Sequence, residues 1–173
     1  MSSFRMGRIV ALSMFTAALS QAGTVVTVDG PISVTSVVTQ SGSLYEYDYS
    51  IADGTGLLAV LDIDVTPGIS ITGLTAPGGS SAFMTAYDSG LGLVSFLDNN
   101  AVFPSTSESG FIFYSPIAPM ATNFGVTLFD GTTGTADGIQ GPVVPEPAST
   151  TLFLFGGVVL LFWRKRMTAS RLV

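Results

Sequence analysis

The sequence predicts a mainly β fold: one antiparallel β-sandwich or jelly-roll-like domain, flanked by an N-terminal signal peptide and a C-terminal transmembrane helix. Three observations carry this expectation. Between Gly23 and about Gly134, short β-branched or alternating runs are separated by Gly, Pro, Asp and Asn clusters, and no helical period is sustained. Each end of the chain holds an apolar run bordered by basic residues. All six basic residues (Arg5, Arg8, Arg164, Lys165, Arg166 and Arg171) lie in those ends, and all twelve carboxylates lie between them.

The N-terminal element runs from Met1 to Ala22. Arg5 and Arg8 give it a basic start, Ile9 to Leu19 an apolar run, and Ser20-Gln21-Ala22 the small residues that precede a cut. That order is the pattern of a secretory signal peptide, with cleavage expected between Ala22 and Gly23. A retained N-terminal anchor is the alternative, though the run is short for a span.

The domain is expected over residues 23–130. Thr24 to Val28 and Ile32 to Val38 are β-branched runs parted by Asp29-Gly30-Pro31, a turn signal. From Leu44 to Ile51 the parity alternates: Tyr45, Tyr47, Tyr49 and Ile51 share one face, and Glu46, Asp48 and Ser50 take the other. A half-buried strand with its tyrosines inward fits that pattern. After Asp53-Gly54, Leu57 to Val65 reads as a more buried strand. Pro67-Gly68 breaks the chain before Ile69, Ile71 and Leu74 resume a period of two. Leu91 to Leu97, Gly110 to Tyr114 and Phe124 to Phe129 supply further strands. Residues 131–144, rich in Gly and Thr, read as a flexible linker.

Composition excludes most catalysis in this region. No Lys, Arg or His occurs between Gly23 and Trp163, and the chain has no Cys. Ser-His-Asp and Cys-His nucleophiles, Schiff-base lysines, histidine or cysteine zinc sites and phosphate loops with their Lys therefore have no parts. A carboxylate pair, as in glycoside hydrolysis, stays chemically open. Asp62 and Asp64 share one face of a strand about 7 Å apart, although the solvent face of a strand with Leu61, Ile63 and Val65 inward is the simpler explanation of them. Asp98-Asn99-Asn100 is rich in oxygen ligands, or simply a turn. Asp62, Asp64 and Asp98 are accordingly the calcium candidates; no other cofactor and no catalytic residue is expected. The region carries a formal charge of about −12, which repels nucleic acid and favours solubility or divalent bridging.

The C-terminal element begins with Val144-Pro-Glu-Pro-Ala-Ser. Residues 148–163 hold no charge and are apolar on all sides, so a helix there belongs in a core or in lipid. At 1.5 Å per residue it spans about 24 Å, a gap to the roughly 30 Å hydrocarbon layer that flanking residues and thinning close. Trp163 suits the interface, and Arg164-Lys165-Arg166 should stay cytoplasmic, ahead of a short tail over 168–173.

These parts together resemble the PEP-CTERM sorting signal of exopolysaccharide-producing Gram-negative bacteria. The resemblance covers residues 145–167 and says nothing of the rest. It implies that Pro145, Glu146 and Pro147 are the recognition motif and that Arg164, Lys165 and Arg166 are the stop. It also implies processing by exosortase, a membrane-embedded cysteine protease. The expected protein is exported by the Sec machinery and cut by signal peptidase. It then sits in the inner membrane as a single-pass precursor with its domain on the periplasmic side, and finally reaches the cell surface or extracellular matrix. On this reading it is a non-enzymatic partner of extracellular polysaccharide, with no nucleic acid involved. The alternative is a permanently membrane-anchored protein that binds or cleaves carbohydrate through carboxylates.

Overall fold

The computed structural model describes residues 18–27, 30–54, 58–78, 82–99 and 107–145. Among them there is no helix; ten strands form two five-stranded antiparallel sheets. The first sheet has the order β1 (Leu19–Thr27), β2 (Gly30–Ser41), β3 (Leu44–Asp53), β8 (Ser107–Ser115), β5 (Thr72–Thr75). The second has the order β10 (Thr133–Pro142), β9 (Pro119–Leu128), β4 (Leu58–Asp64), β7 (Leu93–Asp98), β6 (Phe83–Asp88). The consecutive strands β3 and β4 are thus the middle strands of opposite sheets.

The crossing between them is a tied corner. Asp53, buried at the end of β3, accepts a hydrogen bond from the Leu58 amide at 3.0 Å, and the Gly54 amide donates to the Pro31 carbonyl at 3.0 Å. A buried carboxylate that holds a backbone donor satisfies an amide that the change of sheet would otherwise strand.

The core forms where the two inner faces meet. β3 alternates as expected: Tyr47, Tyr49 and Ile51 are buried, and Glu46, Asp48 and Ser50 lie on the outer side. Tyr47 pairs in register with Phe113 of β8, and their rings stack at 5.2 Å and 20°. Phe111, two residues earlier on β8, meets Phe83 and Phe96 of the opposite sheet edge-on, each at 5.2 Å. Such offset and edge-on pairs add about 0.5–1.5 kcal/mol each to the burial itself. Leu58, Leu61 and Ile63 of β4 and Phe124, Val126 and Leu128 of β9 complete the layer.

One expectation needs correction. Residues 131–144 are not a linker, because Thr133–Pro142 is a full strand paired with β9, and the compact unit extends to Val143. Its alternation is hidden by glycines and by a bulge between Ala136 and Ile139, where Asp137 and Gly138 together oppose Asn123. Gly138 takes φ 96°, and the extra residue resets which parity faces inward, so that Ala136 and Ile139 both turn to the core. In addition, the edge strand β6 had no separate sequence expectation; Phe83 alone of its side chains is fully inside.

The N-terminal boundary also acquires a structural setting. β1 begins at Leu19 and pairs with β2 from Leu19↔Val38 to Thr27↔Gly30, so the Ala22–Gly23 bond lies within a strand. Residues 1–17 and the C-terminal segment from Glu146 onward lie outside the described residues. Among the described residues no helix is long and apolar enough to cross a membrane.

Candidate functional site

The tyrosine row is structural. Tyr47 donates to the Ile117 carbonyl at 2.7 Å and Tyr49 to the Gln140 carbonyl at 2.8 Å, both with their rings inside. Burial, and the neighbouring phenol in each case, pushes both hydroxyls well above the ordinary tyrosine range. Only the partly buried Tyr45 keeps any outward surface. Stacking of sugars on this row is therefore blocked by the second sheet.

Tyr49 belongs to a polar seam that stitches the sheets together. Ser36 of β2, fully buried, accepts a hydrogen bond from the Gln140 amide of β10 at 2.8 Å and donates to the Gln21 carbonyl of β1 at 3.2 Å. Among the described residues no buried side-chain polar atom lacks a partner. A satisfied network of this kind fixes register without the cost of a stranded dipole.

The carboxylates occupy outer faces. On the first sheet, Glu46 accepts the Tyr114 hydroxyl at 2.7 Å, which raises that phenol, and Asp48 accepts the Gly110 amide at 3.2 Å. Gly110 is the extra residue of a bulge in β8, so its amide is free of the ladder and turns to Asp48. Partial burial raises the Asp48 carboxyl, the Gly110 hydrogen bond lowers it less, and Glu46 raises it again.

On the second sheet, Asp62 and Asp64 do share the outer face of β4, as the alternation predicts. Asp62 accepts the Ser95 hydroxyl at 2.5 Å. Both line a surface groove of about 630 Å³ with Asn123, Thr135 and Asp137. Its middle is Gly125, paired with both Asp62 and Thr135, where the missing side chain leaves the dent. Asn123 and Asp137 also line a second groove of about 610 Å³ beside Gln21 and Ala22. The bulge that turns Asp137 toward this face leaves no periodic trace in the sequence.

Asp98 is not part of that arrangement. It ends β7 on the inner side, opposite Phe83, while Asp62 and Asp64 point outward from the same sheet. The three calcium candidates therefore do not converge, and among the described residues no group of three or more acidic, His or Cys side chains gathers around one point. Of the sorting motif, Pro145 is described and exposed, close after the end of β10; Glu146, Pro147, Arg164, Lys165 and Arg166 lie outside the described residues. Ala22 is exposed and Gly23 buried, adjacent in β1.

Fold and surface together define a mainly β protein of two packed antiparallel sheets with acidic outer faces. No protein-family model matches the chain, and no curated protein or solved structure matches it either.

Proposed function

We propose that this chain is an exported, non-enzymatic surface or extracellular-matrix protein, sorted through a C-terminal signal of the PEP-CTERM kind and associated with exopolysaccharide. The observation that carries the reading is the three-part order Pro145-Glu146-Pro147, uncharged residues 148–163 and Arg164-Lys165-Arg166. The basic residues at both ends support a precursor whose acidic middle is outside the cytoplasm. Exosortase, the Sec machinery and signal peptidase are its processing partners, and extracellular polysaccharide its surroundings. The absence of His, Lys and Cys from the exported region supports a role without catalysis.

The paired prolines hold the motif extended, as a protease cleft requires, and Glu146 is the only charge there for recognition. Glu146→Ala should therefore insert normally yet accumulate at precursor length in a host that carries exosortase. Val158→Asp, which adds about 2.5–3.5 kcal/mol against insertion, should leave the protein unanchored. Membrane fractionation with immunoblot size decides between them; parental processing of Glu146→Ala would reduce the motif to a spacer before an ordinary anchor.

A second reading, an anchored carbohydrate-binding or carbohydrate-cleaving protein, is favoured by one observation: Asp62, Asp64, Asn123, Thr135 and Asp137 line one groove. Glycan binding that is lost in Asp62→Asn would select it over the first.

A further inference from the structure

From the seam between β1 and β10 we infer that removal of residues 1–22 creates an internal ammonium site, in which the new α-amino group of Gly23 is held beside Asp137. The inference rests on the export reading above, with the cut between Ala22 and Gly23.

Gly23 is the first buried residue of β1, after four exposed ones. Its burial comes from β10 and β9: a Cβ placed on Gly23 would collide with the Asp137 carbonyl of β10 and lie 2.7 Å from the Phe124 ring of β9. Seen from the other side, a Cβ on Gly138 would lie 3.0 Å from the Ala22 carbonyl oxygen and 3.6 Å from the Gly23 Cα. The Ala22–Gly23 peptide thus rests directly on the Asp137-Gly138 bulge, with a glycine on each side permitting the approach. The groove beside it is lined by Gln21, Ala22, Ala121, Thr122, Asn123 and the bulge. Cleavage removes the first two of those residues and puts a charged terminus in their place.

What surrounds that terminus is acidic or neutral. β10 contributes Asp137 and its carbonyl, and β4 contributes Asp62 and Asp64 through the adjoining groove that shares Asn123 and Asp137. β9 offers Ala121, Thr122 and Asn123, and β2 offers Ser33, Val34 and Thr35 beside Gly23, none of which titrates. No other cation occurs between Gly23 and Trp163, so the amine is the sole counter-charge of a domain with a surplus of carboxylates. Nearby opposite charge favours the protonated amine, and its titration moves above the ordinary range of about 7.7–8.0. The sign for stability follows. A folded value raised above the unfolded one gives a contribution that is complete below about pH 7.7–8.0 and lost as pH rises through the folded value. The uncut precursor, with a neutral peptide at the seam, has no such contribution.

The test uses protein processed in an exporting host, its N-terminus fixed by intact mass, and reductive methylation of its amines with a ¹³C label followed by NMR titration. The Gly23 amine is read separately from Lys165, the one lysine of the chain. The expected result is a Gly23 amine that titrates above about 8 in the parent and within the ordinary range of about 7.7–8.0 in Asp137→Asn, with label entering the parent more slowly than the variant. Glu108→Gln, which removes a carboxylate from β8, three strands away from β1 in the same sheet, should leave it raised. An ordinary value in the parent, or an equal drop in both variants, overturns the seam site while the export reading stands. A mature chain that starts elsewhere than Gly23 overturns both the cut and the site built on it.

Discussion

β3 and β10 are strands of the same length held by opposite means. β3, the middle strand of the first sheet, inserts Tyr47, Tyr49 and Ile51 between the sheets, and its stability resides in side-chain area and ring packing. β10, an edge strand of the second sheet, carries Gly134, Gly138 and Gly141, and packs by letting neighbours approach its backbone. Val25 of β1 sits over Gly134, and Thr122 of β9 over Gly141. A strand can thus be specified by what it inserts or by what it leaves out. The first kind should fail when atoms are removed, the second when atoms are added.

The largest expected effect is on the first kind. Tyr49→Ala deletes a fully buried ring and its hydrogen bond to Gln140, and should cost about 3–5 kcal/mol, read as a fall in the denaturation midpoint. A loss below 1 kcal/mol would mean that the core around β3 collapses to fill the hole. Next comes the converse on β10. Gly134→Ala places a methyl group against Val25 and should cost about 1–3 kcal/mol by overpacking. Gly125→Ala, on the neighbouring strand, meets only ordinary contacts of 3.7 Å or more and should change stability by less than about 0.5 kcal/mol. Equal effects of the two glycine changes would break the distinction.

A smaller effect isolates the link between the two strands. Tyr49→Phe keeps the ring and removes only the donor to the Gln140 carbonyl, for about 0.5–1.5 kcal/mol. The same hydroxyl sets the alkaline limit. Since burial raises Tyr47 and Tyr49 in the fold, their contribution is complete below the unfolded value of about 10 and is lost as pH rises beyond it. Tyrosinate absorbance should therefore appear for these two together with unfolding.

Smallest is the outer face of β3. The Asp48 carboxyl is raised chiefly by burial, so the contribution of this group is complete below about pH 3.9 and lost as pH rises through its folded value. Asp48→Asn keeps an oxygen for the Gly110 amide and cannot ionise. Its melting temperature should exceed the parent's slightly at neutral pH and match it at about pH 3. A lower melting temperature at neutral pH would show that the charged form is needed there.

The β class, the inward tyrosines, the buried run of β4 and the outward Asp62 and Asp64 were legible from residue order alone. From Tyr45 to Ile51 and from Leu61 to Val65 the period of two is unbroken, and an unbroken period states which side chains share a face. The candidate groove was only half legible: alternation places Asp62 and Asp64 on one face, but Asp98 looked equivalent as an oxygen donor and turns inward at the end of β7. β10 was read as a linker because glycine carries no hydropathy and a bulge shifts the parity midway. Its formation depends on Val25 of β1, distant in the chain, and on Thr122 and Val126 of the adjacent β9, which supply the contacts glycine cannot. Sequence by itself determined composition, charge segregation and the strands whose alternation is unbroken, such as β3 and the second half of β4. Tertiary structure alone decided the strand order, the Ser36–Gln140–Tyr49 seam and the placing of Asp137 beside Gly23. Those features arise where two backbones meet, and a period within one strand holds no information about the strand that comes to lie against it.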